Sequence, residues 1–260
     1  MDLSKFIKRE GEKPLDNLVE DGGFTNIFRS ICCIGDSLSS GEFEVIRDGK
    51  RTWVDMYEYS YGQYIARRTG AKVLNFSKGG MTAEWYWNRF NEEMELWNEK
   101  DLCQAYIIAL GANDLHGDPI PFEIGSVDDI NFEDYNKNAP TFCGYYARII
   151  QRIQSMQPDA KIFLCSLPRI YPQYEQRIKE HAKLIHELNK VFKNTYVIDL
   201  YAYGPSREEP DFANNFWLTN HLNPMGYVLS AKIIMSYIDY IIRNNPKEFE
   251  LVGFIGKNIL

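Results

Sequence analysis

Four short segments carry residue types that could do chemistry together. Gly35-Asp36-Ser37-Leu38-Ser39 sets a serine directly after the apolar run Ile31-Cys32-Cys33-Ile34. A serine at such a strand end can present its hydroxyl at the sheet edge and turn its own N–H toward a reacting carbonyl. Asn75-Phe76-Ser77-Lys78-Gly79-Gly80-Met81-Thr82 brings paired glycines, which let the backbone approach a ligand and leave an N–H unobstructed. Gly111-Ala112-Asn113-Asp114 offers an amide donor at Asn113, with Asp114 to brace the loop. Asn220-His221-Leu222-Asn223-Pro224 puts an imidazole just ahead of a helix start. Each segment alone has an ordinary reading as a turn, an Asx-turn or a structural histidine. Taken together they supply what acyl transfer requires: a nucleophile, a base and several oxyanion donors, at successive strand ends in one order.

The elements that must position these residues are legible in the hydrophobic pattern. Five apolar runs recur: Ile31–Ile34, Val73–Phe76, Tyr106–Leu110, Ile162–Cys165 and Tyr196–Ile198. They lack in-out alternation, which suits strands of a parallel sheet covered on both faces. Helical stripes lie between them, one through Phe142, Tyr146, Ile149, Ile153 and Met156, another through Ile178, Ala182, Ile185, Leu188 and Phe192. Tyr59 to Thr69 reads as a helix closed by Gly70, and Asn223-Pro224 caps a helix running to about Ile242. Alternating strands and helices imply a doubly wound α/β sandwich, with reactive groups outside the carboxyl ends of the strands. The stretch His116 to Asn138 exceeds an ordinary connection and suits a lid or substrate-facing loop. Asp199, after the fifth run, suits a structural cap.

Bulk properties narrow the function classes. With 260 residues and no Pro/Gly/Ser-rich linker, one domain spanning 1–260 is expected, with an N-terminal extension over about 1–28. A net charge of -7 argues against a nucleic-acid partner, because phosphate binding needs a concentrated basic surface. The five cysteines sit in or beside apolar runs and read as buried thiols. Metal-ligand spacing is absent and no cofactor is expected; His181 and His186, five apart, do not share a helix face. The N-terminal stretch lacks the apolar core of a secretion signal, and no uninterrupted apolar run has membrane-spanning length, so a cytoplasmic protein is expected.

At this point the four blocks resemble the SGNH hydrolase superfamily, the GDSL lipase/esterase family. GDSLS supplies Ser37, NFSKGGMT aligns the block-two glycine with Gly80, GAND supplies Asn113, and LTNH supplies His221. The resemblance spans about Ile31 to Tyr227. It implies a flavodoxin-like three-layer α/β/α sandwich with a five-stranded parallel sheet, and a hydrolase for small-molecule carboxylic esters, either short-chain acyl esters or O-acetylated carbohydrate. It further implies Ser37 as nucleophile, His221 as general base, and an oxyanion hole from the Ser37 and Gly80 N–H groups and the Asn113 side chain. One departure stands out: the family usually has Asp three residues before the histidine, where this chain has Leu218. The backbone carbonyl of Leu218, giving a Ser-His dyad, and Asp211 are the two candidate replacements. The departure also keeps a non-catalytic binding protein in view, and a shared acyl-enzyme keeps an acyltransferase in view.

Overall fold

The computed structural model describes residues 3–7, 9–116 and 122–256. Its centre is a five-stranded, all-parallel sheet in the order β4-β1-β5-β6-β7. The strands are β1 (Ser30–Gly35), β4 (Lys72–Ser77), β5 (Ala105–Ala109), β6 (Lys161–Cys165) and β7 (Thr195–Ile198); they enclose the five apolar runs except Leu110, which lies one residue past β5. Side chains alternate across the sheet, so Ile31 and Cys33 enter one core while Cys32 and Ile34 enter the other. Helices cover both faces, which is why neither set is polar. Phe142–Met156 and Glu175–Val191 pack on one side; Tyr61–Thr69 and Pro224–Asn244 pack on the other. Each fully buried Ile of the central strands contributes about 1.5–3 kcal/mol.

Local chemistry sets the helix ends. Ser60 Oγ accepts the Gln63 N–H, and Gly70 closes that helix at φ 68°. Thr141 Oγ1 caps Phe142–Met156, and Asn223 Oδ1 accepts the Gly226 N–H at 2.9 Å ahead of Pro224–Asn244. By length and mean hydropathy this last helix could cross a membrane, yet 67% of its most apolar window is buried in the fold, where it serves as the central helix of one layer.

Three regions refine the expectations. The segment before β1 is strapped across the C-terminal helix: Arg243 pairs with Glu12 (2.6 Å) and Asp239 (2.7 Å), and the Phe24 N–H donates to Asp239. An antiparallel hairpin, β2 (Glu42–Arg47) with β3 (Lys50–Asp55), follows the serine segment and was not anticipated. Its signal lies in Asp48-Gly49, both at positive φ, between runs of β-branched and aromatic residues. Of the long stretch expected as a lid, 117–121 lie outside the described residues. The remainder is fastened to the helix behind it: Phe142 N–H bonds to Glu123 O, Ala139 N–H to Asp129 O, and Thr141 Oγ1 to Asp129 Oδ2.

Candidate active site

Ser37 opens a single helical turn, Ser37–Ser40, directly after β1. Asp36, 2% exposed, holds the turn by accepting the Leu38 N–H at 3.0 Å, and Gly41 ends it at φ 81°. Burial pushes the Asp36 carboxyl up to about 7. The Ser37 carbonyl is engaged in the turn, accepting the Gly41 N–H and the Ser40 hydroxyl, while its half-buried hydroxyl enters no hydrogen bond among the described residues.

His221 begins β9 (His221–Leu222), which pairs with β8 (Trp217–Leu218) across a two-residue turn with Thr219 at φ 60°. Burial lowers its pKa below the usual 6.5, although Glu44 and Asp55 pull the other way. The ring is therefore neutral at pH 7, the state a general base requires. Nε2 stands 3.8 Å from Glu42 Oε1, and Nδ1 is buried without a hydrogen-bond partner among the described residues.

Tyr227 joins the two segments. This fully buried residue sits in the first turn of the helix after His221. Its hydroxyl donates to Glu42 O at 2.8 Å, with a longer contact to Ser37 O at 3.4 Å. The nucleophile turn and the histidine loop are so brought to the same sheet edge, but no direct hydrogen bond links Ser37 Oγ to the imidazole among the described residues.

The expected oxyanion donors converge on that edge as well. Gly80 adopts φ 77°, and the space a Cβ would occupy is open. Its neighbour Gly79 already donates its N–H to Asp55 Oδ1 at 3.0 Å, which leaves Gly80 as the glycine of the pair with its amide uncommitted. Asn113 Nδ2 donates one hydrogen to Met81 O at 3.0 Å and retains its second. Asp114 accepts the Ala83 N–H at 2.9 Å, so the asparagine turn and the glycine turn are tied as one unit. Burial raises the Asp114 carboxyl to about 7.

Neither expected replacement for the missing aspartate contacts the ring. Asp211 stands exposed in the first turn of Pro210–Phe216, where its carbonyl accepts from Asn215. Leu218 faces His221 as a backbone pair, and its carbonyl accepts the Thr219 hydroxyl at 2.7 Å. The carboxylates that do surround the ring come from the hairpin: Glu42, Glu44 and Asp55. Of these, Glu42 owes its place beside His221 to the β2–β3 hairpin.

The remaining histidines have structural settings. His181 is fully buried between the Leu167 N–H and Leu110 O, and His116 lies against the Tyr171 and Tyr174 rings; burial takes both down to about 4. Asp199 caps Leu200–Tyr203, as its position after β7 suggested. All five cysteines are free and buried. Among the described residues no group of three or more His, Cys, Asp or Glu is arranged to hold a metal ion. Beneath the nucleophile turn lies an apolar cavity of about 90 Å³, lined in part by Leu38, Ile170, Phe212, Trp217 and Leu222.

The comparisons with known proteins agree with this fold. The GDSL-like lipase/acylhydrolase family matches residues 33–229. No curated protein sequence matches the chain. Solved structures do: a family two carbohydrate esterase from Clostridium thermocellum, in complex with cellohexaose, has a TM-score of 0.58 at 18% identity over 91% of this chain and 66% of that one. A lipase/acylhydrolase from Enterococcus faecalis has a TM-score of 0.52 at 22% identity over 81% of this chain and 95% of that one. An acetyl xylan esterase has a TM-score of 0.51 at 18% identity over 80% and 99%. At such identities these likenesses speak for the fold, whereas the family match covers the serine, glycine, asparagine and histidine blocks together. The chain belongs to the GDSL-like lipase/acylhydrolase family and is a carboxylic ester hydrolase.

Proposed function

We propose that the protein is a serine esterase for short-chain acyl esters, O-acetylated carbohydrate foremost, acting through an acyl-enzyme. Ser37 Oγ attacks the ester carbonyl while His221 takes its proton. The Ser37 and Gly80 N–H groups and the free hydrogen of Asn113 hold the tetrahedral oxyanion. The intermediate collapses onto an acyl-Ser37 as His221 protonates the departing alcohol. Water then repeats the sequence and releases the acid. Each oxyanion donor is worth about 10²–10³ in turnover.

The observation that carries this reading is the joint tethering of the two segments by Tyr227, beside an imidazole that burial keeps neutral. The absence of a Ser37–His221 hydrogen bond is compatible with this reading, since catalytic hydrogen bonds often tighten when substrate binds. Trp53 on the hairpin and Trp85 in the helical turn after Gly80 are about half exposed and offer faces on which a sugar ring can stack. The carbohydrate esterases of similar fold add weight to that choice.

A fluorophosphonate probe tests the reaction type. The wild type is expected to label on Ser37 and Ser37→Ala is expected not to; absence of labelling on folded wild type would return the molecule to the non-catalytic binding class. A panel from p-nitrophenyl acetate to long-chain esters, with acetylated xylan oligomers, tests the substrate. Preference for long chains would defeat the short-acyl assignment.

A further inference from the structure

Among the described residues the buried acids are, with one exception, hydrogen-bonded. Asp36, Asp114, Asp199 and Asp239 each accept at least one N–H. Glu42 accepts none among the described residues, although its side chain is only 10% exposed. No Lys or Arg pairs with it there either. The one group able to carry a positive charge against it is His221, at 3.8 Å and itself 15% exposed. Burying a carboxylate with so little compensation is costly. Its surroundings raise that cost: Asp55 lies opposite on β3, and the Asp36 carboxyl also acts on it. Burial, with Asp55 and Asp36, drives the Glu42 carboxyl up to about 7. Space has been kept for it all the same. A methyl group on Gly79 would run into both carboxylate oxygens.

We propose that Glu42 is the positioning carboxylate of His221, taking from a different element the part of the acid missing at Leu218. The inference rests on the serine esterase reading. Nε2–H points to Glu42, which fixes the tautomer and leaves Nδ1 to receive the Ser37 proton. The ring becomes a cation while the oxygen electron pair forms the bond to the acyl carbon. Nδ1 then gives that proton to the leaving alcohol, and Nε2–H is never transferred. A separation of 3.8 Å is about 1 Å longer than a charge-assisted hydrogen bond, and the charge on the imidazolium draws the two groups together.

Glu42→Gln keeps the shape and removes the charge. It is expected to lower kcat by about 10²–10⁴-fold with little change in KM, and Glu42→Asp to recover part of the loss. The acid limb of the kcat/KM profile, set near pH 7 by Glu42 in the wild type, is expected to move to lower pH in Glu42→Gln. Because an unpaired buried charge is lost, the Tm of Glu42→Gln at pH 8 should rise by about 2–4 °C, which no packing role predicts. NMR titration of His221 gives a readout independent of turnover: its pKa should fall by about one unit in Glu42→Gln. Full activity with an unmoved limb, or an unchanged His221 titration, overturns the proposal. If wild-type protein fails to label with fluorophosphonate while the His221 titration still shifts, the serine esterase reading fails and the pairing of Glu42 with His221 stands.

Discussion

Two sets of serine, carboxylate and histidine stand at the carboxyl edge of the same sheet. Ser37, Glu42 and His221 gather after β1, and Ser166, Asp199 and His186 gather after β6 and β7. In the second set Ser166 is 1% exposed; its hydroxyl donates to Asp199 Oδ1 at 3.0 Å and accepts the Tyr201 N–H. The carboxylate sits between the other two, with His186 Nε2 2.8 Å from Asp199 Oδ2. Burial opposes its charge, but bonds from His186, the Ala202 N–H and Ser166 outweigh that and hold its carboxyl below the ordinary range. In the first set the serine hydroxyl is unspent, the imidazole keeps an unpartnered nitrogen, and burial raises the acid. Both sets hold a serine, a carboxylate and a histidine, a glutamate in the first and an aspartate in the second. What separates them is order and unused hydrogen-bonding capacity: a satisfied network fixes a structure, and an unsatisfied one is available for chemistry.

The contrast can be broken most sharply at the serines and histidines. Ser37→Ala and His221→Ala are each expected to cost about 10⁵–10⁶-fold in kcat with the fold intact. Ser166→Ala and His186→Ala should leave kcat within a few-fold. Comparable losses at both sets in ester hydrolysis assays would erase the distinction. Asn113→Ala should lower kcat about 10²–10³-fold with little change in Tm, while Asp199→Asn should cost about 1–3 kcal/mol in stability and spare kcat; urea melts alongside kinetics separate the two effects. Asp211→Asn is expected to change neither, and a thousandfold loss of rate would make that exposed acid a member of the site.

Protonation sharpens the same contrast. Asp36, Glu42 and Asp114 are raised to about 7, so the native state holds protons that the unfolded chain releases near pH 4. Between those limits the native state binds more protons, and stability falls as pH rises through 7. His116, His181 and His221 are lowered, so stability is lost as pH drops below about 6.5 toward 4, where only the unfolded chain takes up their protons. Differential scanning calorimetry should therefore find Tm climbing from pH 8.5 to 6.5 and levelling below. A Tm that declines over that first interval would contradict the burial assigned to the three acids.

Much of this was legible from residues. The five strands and four of the long helices follow from apolar runs, stripes and caps, because both faces of the sheet are covered and helix ends carry their own signals at Ser60, Gly70 and Asn223. The four blocks identified the serine, glycine, asparagine and histidine segments, and Asp114 braces its loop as expected. The hairpin has a weaker signal, Asp48-Gly49 alone, because two short strands outside the main sheet carry no continuous apolar run. With the hairpin went Glu42. Nothing local tells that a glutamate five residues after Ser37 meets a histidine 179 positions further on; only the folded β2 strand, held by Tyr227, brings them together. The aromatic stretch after Gly80 divides between core and surface. Tyr86 and Phe90 are buried, while Trp85 is exposed.

The most direct measurement is the site of acylation. Wild-type protein mixed with p-nitrophenyl acetate, quenched in acid and digested, should carry acetyl on the peptide containing Ser37 and none on the peptide containing Ser166. Hydrolysis that proceeds with no acyl-enzyme on Ser37, or with the acetyl group on another residue, would contradict the account.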